Sequence, residues 1–212
     1  MKNILGIIFL VFFLPTISFS EITIPVSINI LQINEDGYKT NINEEQAKKA
    51  INKLNEIYSK TKINFDITNV KLIKSGHKNF SKAKNKVKEY KKKEKRVFYN
   101  KLIRYSSSKK DQHLNIYFIP KLVENNAQGV YLRTKSMNPN EGYILITTFT
   151  PYLGILLAHE VGHVFNIKHK PKTGNGYKNR LMDVRFTGTV INDEEAKQMR
   201  DFYYSVLKKH FK

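Results

Sequence analysis

Eleven residues, His159-Glu160-Val161-Gly162-His163-Val164-Phe165-Asn166-Ile167-Lys168-His169, constrain this chain more than any other stretch of it. On a helix, positions i and i+4 share a face one turn apart, so His159 and His163 can turn imidazole nitrogens toward one metal ion. Glu160 sits beside them, placed to reach water at the metal without being a ligand, as a general base must. His169 follows His163 by six residues, and no straight helix returns it to the metal face. A sharp turn has to intervene. Asn166 stands where it would fall, and after Gly, Asn most readily takes the left-handed conformation that ends a helix. Upstream, Thr150-Pro151 reads as an N-cap followed by Pro at the first helical position, and residues 152–158 form an apolar lead into His159. The plain alternative is a buried helix with scattered histidines, which leaves the spacing to coincidence.

The run resembles the long zinc signature of the metzincin metallopeptidases, His-Glu-x-x-His-x-x-Gly-x-x-His, followed by a methionine turn. Asn166 stands where the family has Gly. Asn179-Arg180-Leu181-Met182-Asp183 is similar to the methionine turn, with Met182 thirteen residues beyond His169. The resemblance implies one catalytic zinc ion on His159, His163 and His169, Glu160 as the base, and Met182 as a floor beneath the metal. Taken alone, Met182 reads as an ordinary core methionine. The stretch 43–55 is similar to the first helix of the pappalysin-like branch. That branch commonly carries Tyr two residues after the Met, where this chain has Val184. The implied fold class is α/β (α+β): a twisted mixed sheet with an active-site helix and a smaller C-terminal lobe ending in a helix.

Periodicity gives the rest of the frame. Residues 22–33, 63–73 and 113–119 read as strands, residues 43–60 as a helix, residues 128–134 as an edge strand, and residues 142–148 as a strand leading to Thr150. In the family, an edge strand above the cleft pairs with extended substrate. The resemblance gives that role to Gly129, Val130, Tyr131 and Leu132 as an alternative to an ordinary sheet edge. Asn192 and Glu195 form the two ends of a capping box, and Ala196, Met199, Tyr203 and Leu207 share one face of the helix it opens. His77, His113 and His210 have no partner at ligand spacing and read as surface or structural residues.

Residues 1–20 carry one basic residue, Lys2, an apolar run from Ile4 to Leu14 and a small-residue ending, the pattern of a secretory signal. The run is shorter than the roughly 20 residues of a spanning helix. The expected organisation is a signal peptide over 1–20 and one catalytic domain over 21–212, secreted or periplasmic and monomeric. With no cysteine there are no disulfides, and the cysteine switch of some metzincins is excluded. Residues 71–110 hold 16 Lys and Arg against two acids, which supplies most of the net charge of +19. This helical-looking basic insertion, over about 74–110, either holds the chain to an anionic surface such as lipid or cell wall or is a solvated helix. Sparse Arg and absent Trp favour the solvated helix, and export makes nucleic acid the least expected partner.

Three functional readings follow. The first is a secreted zinc endopeptidase acting on protein or peptide. The second keeps the chemistry but makes Glu194 or Glu195 the third ligand. The third is an exported, non-catalytic zinc-containing protein that attaches to anionic surfaces through the basic segment.

Overall fold

The computed structural model describes residues 20–32, 34–35, 38–40, 42–74, 112–119, 129–132, 143–148, 150–169, 179–183 and 188–211. The signal-like segment, the basic insertion from residue 75, and Val184 lie outside these residues.

Strand β1, Ile22–Gln32, is joined through helix α1, Glu44–Tyr58, to β4, Ile63–Lys74, which pairs with it in parallel. Between β1 and α1 runs a short hairpin, β2 (Asn34–Glu35) with β3 (Tyr38–Lys39). The sheet continues through β5, Leu114–Ile119, and β7, Tyr143–Thr147, to β6, Gly129–Leu132. The order is β4-β1-β5-β7-β6, parallel except for antiparallel β6 at the edge. The mixed sheet expected from the sequence is the one observed.

The period-2 pattern of β1 sends Ile22, Ile24, Val26, Ile28 and Ile30 toward the helices, where they join the core with Ile116, Phe118, Ile144 and Ile146. The alternate positions Ser27, Asn29, Asn115, Tyr117 and Tyr143 are buried as well, as a largely parallel sheet requires. One extra residue in β4, Thr68, makes a bulge opposite Val26 and Ser27, and its hydroxyl donates to the Val26 carbonyl.

Asn43 caps α1 in a reciprocal box with Gln46, and Ala47, Ala50, Ile51, Leu54 and Tyr58 form its buried stripe. That stripe receives helix α2, Leu153–Val164. The two helices touch closely at Gly154, where an added Cβ would lie 2.6 Å from Cβ of Lys53. Further along, buried Tyr58 donates its hydroxyl to the Ala158 carbonyl at 3.0 Å. The residue just before the first histidine of the run is thereby fixed to α1.

The start of α2 differs from the sequence expectation. Tyr152, not Thr150, stands at the N-cap, with no side-chain cap. Thr150 Oγ1 instead accepts from the Tyr152 amide at 3.2 Å, closing a local turn around Pro151. A hydroxyl used two residues on does not reach the amides of a helix that begins later. The last helix, α3, Asp193–Phe202, carries the expected Asn192–Glu195 box. It runs on into a π-helical turn, Tyr203–Leu207, with Ala196, Met199, Tyr203 and Leu207 all buried. Among the described residues no helix is long and apolar enough to cross a membrane.

Candidate metal centre

Helix α2 ends as its sequence requires. Asn166 is left-handed, with φ 60°. Its amide donates to the His163 carbonyl and the Ile167 amide to the Gly162 carbonyl, both at 3.0 Å, the paired bonds of a Schellman ending. Asn serves here where Gly is commoner, because its short polar side chain tolerates this conformation. The reversal brings His169 back over the helix face. Its Nε2 lies 2.9 Å from Nε2 of His159 and 3.0 Å from Nε2 of His163.

Backbone carbonyls set the tautomers. His159 Nδ1 is 2.8 Å from the Leu181 carbonyl, and His163 Nδ1 is 2.9 Å from the Ile167 carbonyl. Each Nδ1 must carry the hydrogen, so each Nε2 presents a lone pair. Burial, against the pull of the Leu181 bond, lowers His159 to about 4, and burial likewise lowers His163. Both rings are therefore neutral at pH 7. Two lone pairs then face a third ring nitrogen that can offer at most one proton. A cation satisfies all three donors together. Two nitrogens at 2.0 to 2.1 Å from one tetrahedral zinc ion are roughly 3.3 Å apart, so a slight opening of the triad fits the ion. The donor set suits zinc: neutral imidazoles, with no fourth His, Cys, Asp or Glu joining them among the described residues. His159 is buried, His163 partly so and His169 exposed, which opens one side of the centre, as catalytic rather than closed structural sites require.

Glu160 is almost fully buried beside the triad. Burial pushes its carboxyl up to about 7, opposed by a hydrogen bond that the carboxylate accepts from the Tyr131 backbone amide. Strand β6 lies directly over it: a Cβ on Gly129 would sit 2.9 Å from both Cγ and Oε1 of Glu160. The edge strand read from the sequence is thus in place, and two of its backbone positions meet the glutamate.

Met182 is fully buried, and its sulfur lies against the backbone of α2. A Cβ on Gly162 would come within 2.4 Å of Met182 Sδ. The glycine inside the histidine run is therefore the seat of the methionine. Glu195, the alternative third ligand, instead pairs with Arg180 at 2.8 Å and closes the α3 capping box. Of the remaining histidines, His113 is partly exposed and His210 buried, both apart from the triad, and His77 lies outside the described residues. The roles of Tyr58, Leu181 and Arg180 are not legible in the sequence. Each acts through a partner distant in sequence, Ala158, His159 or Glu195, which no local side-chain pattern reveals.

Neither a family model nor a curated protein sequence matches the chain. Solved structures do. Mature mirolysin of Tannerella forsythia in complex with a cleaved peptide superposes with a TM-score of 0.58 at 15% identity, over 91% of this chain and 96% of that one. Mirolysin in complex with compound 9 gives 0.59 at 14%, with the same coverage. Metalloproteinase-II from Bacteroides fragilis gives 0.50 at 15%, over 87% of this chain and 55% of that one. The fold is therefore the metzincin-like one.

Proposed function

We propose that this metzincin-like chain is an exported zinc-dependent endopeptidase with His159, His163 and His169 as the ligands and Glu160 as the general base. The observation that carries the reading is the meeting of three Nε2 atoms, two with lone pairs fixed by carbonyls, together with a buried carboxyl group on the residue that follows His159. Zinc in that place supplies a Lewis acid that makes water nucleophilic near neutral pH and polarises the scissile carbonyl. Next to a bound dication, Glu160 would hold its carboxylate form rather than the acid that burial alone promotes. Glu160 takes the proton of the attacking water and returns it to the leaving amine.

Substrate alignment falls to β6. Successive residues of an antiparallel strand direct their amides to opposite sides. The Tyr131 amide goes to Glu160, so by this alternation the backbone groups of Gly129 and Tyr131 face away from β7, where β6 ends the sheet among the described residues. An extended peptide added there lies beside the base, a strand addition in which main-chain bonds give affinity. Mirolysin, solved with a cleaved peptide, supports a peptide as the substrate. Export rests on the apolar run of residues 4–14, and the mass of protein recovered outside the cytoplasm checks it.

The direct test is peptide-bond cleavage of an unfolded protein substrate by the zinc-loaded chain. Activity should disappear on chelation and return with one equivalent of zinc. Cleavage that survives full metal removal would sink the proposal. Gly129→Val offers a finer check, because the added atoms displace Glu160 or lift β6. We expect kcat to fall about 5- to 150-fold, if the roughly 1–3 kcal/mol strain of overpacking falls on the placement of Glu160. Zinc content should be unchanged, and a variant with parental kcat would show that β6 does not hold the base.

A further inference from the structure

The methionine turn does not hold its place by backbone alone. Thr189 and Val190 donate to the Asn179 carbonyl at 2.9 and 2.8 Å, and the Leu181 amide donates to the Val190 carbonyl at 2.9 Å. Gly188 allows this approach: any Cβ there would fall 1.8 Å from the Arg180 carbonyl oxygen. Across this ribbon, Arg180 Nη2 reaches Glu195 Oε1 at 2.8 Å, with the two side chains 16% and 3% exposed, a charge pair in which Oε1 and Arg180 Nε make no aligned hydrogen bond. The other carboxylate oxygen of Glu195 accepts from the Asn192 amide at 3.3 Å, so the first turn of α3 fixes the acid. One residue past Arg180, the Leu181 carbonyl receives His159 Nδ1–H at 2.8 Å.

We infer that Arg180 and Glu195 are positioning residues for the metal centre, a buried ion pair that ties the Leu181 carbonyl, and through it the His159 ring, to the start of α3. The inference rests on the reading of the triad as a zinc site. A histidine ligand needs a partner on its other nitrogen to hold both tautomer and ring orientation, and loss of such a partner weakens metal binding about 10- to 100-fold. Here the partner is a turn carbonyl, which can rotate away unless the turn is anchored. An apolar contact would tolerate sliding. A buried Arg–carboxylate pair accepts few geometries, since a displaced charge is left desolvated and unpaired. Glu195 suits the task because its own backbone and second oxygen are committed to the capping box.

The test uses Arg180→Met, Arg180→Lys and the double variant Arg180→Met with Glu195→Gln, in the purified protein. Zinc affinity is measured by chelator competition, the geometry of the centre by the visible spectrum of the cobalt-substituted protein, and folding by thermal melting. The double variant leaves no buried charge unpaired and so separates loss of the tether from loss of the fold. We expect it to melt cooperatively, to bind zinc about tenfold more weakly and to shift the cobalt bands, whereas Arg180→Lys keeps most of the parental affinity. Parental zinc affinity with an unchanged cobalt spectrum in the double variant overturns the inference. So does a double variant that no longer folds, because the pair is then a folding requirement. A parent chain that takes up no zinc overturns the zinc reading itself, a result distinct from either.

Discussion

Glu160→Gln should leave zinc bound and reduce kcat on a peptide substrate by about 10²- to 10⁴-fold, the usual contribution of a positioned general base. Gln has the same length and shape, so the packing beneath Gly129 is kept, and its carbonyl oxygen can still accept the Tyr131 amide. What it lacks is a group that takes a proton near neutral pH. The triad is untouched, because Glu160 is not among the three grouped donors. Removing a buried ionisable group whose carboxyl already sits at about 7 costs the fold little. The informative measurement is therefore paired: zinc stoichiometry at parental level together with a collapsed kcat. Full activity in the variant would remove Glu160 from the chemistry. A parent chain that holds zinc and shows no cleavage would favour the exported binding protein, whose association with anionic vesicles or cell-wall material weakens with salt.

The parts of the site legible in the sequence are those where one residue type answers one local demand. Asn166 has φ 60°, as a short polar residue at a helix end should, and Asn192 caps α3 with Glu195 in the box that three-residue spacing announces. The apolar alternation of β1 and the i, i+4 histidines depend only on the 2.0 and 3.6 periods. Thr150 misleads because the same hydroxyl serves two local devices, a helix cap or a two-residue turn, and here it accepts from the Tyr152 amide. The short β2–β3 hairpin has too few residues to show a period. Gly162 hides in plain view: as a variable position within the histidine run it carries no chemistry, yet Met182 cannot seat unless it lacks a side chain. The Arg180–Glu195 pair is set by how two loops meet, and neither partner marks the other in the sequence.

The strongest expected loss of metal comes from His169→Ala. Of the three histidines it is the exposed one, and it follows the left-handed turn rather than lying within α2. Truncating it removes little packing, so the stability of the metal-free protein should stay within about 0.5 kcal/mol of the parent. Zinc binding should suffer far more. Sites of four protein ligands hold zinc by roughly 10–16 kcal/mol in apparent terms, about 2.5–4 kcal/mol for each ligand, so losing one of three weakens affinity by about 60- to 700-fold. His159 and His163 remain, fixed by Leu181 and Ile167, but two ligands on one helix face leave the ion open on two sides. The rival arrangement, with a glutamate of α3 as third ligand, predicts a different result. It would leave one tightly held zinc and near-parental cleavage, because His169 would then be a bystander. Glu195 is committed to Arg180 and Asn192, and Glu194 is not grouped with the histidines, so that result is not expected. Zinc stoichiometry and chelator competition on His169→Ala, read beside Glu160→Gln, separate a lost ligand from a lost base: the first loses metal and activity together, the second loses activity alone.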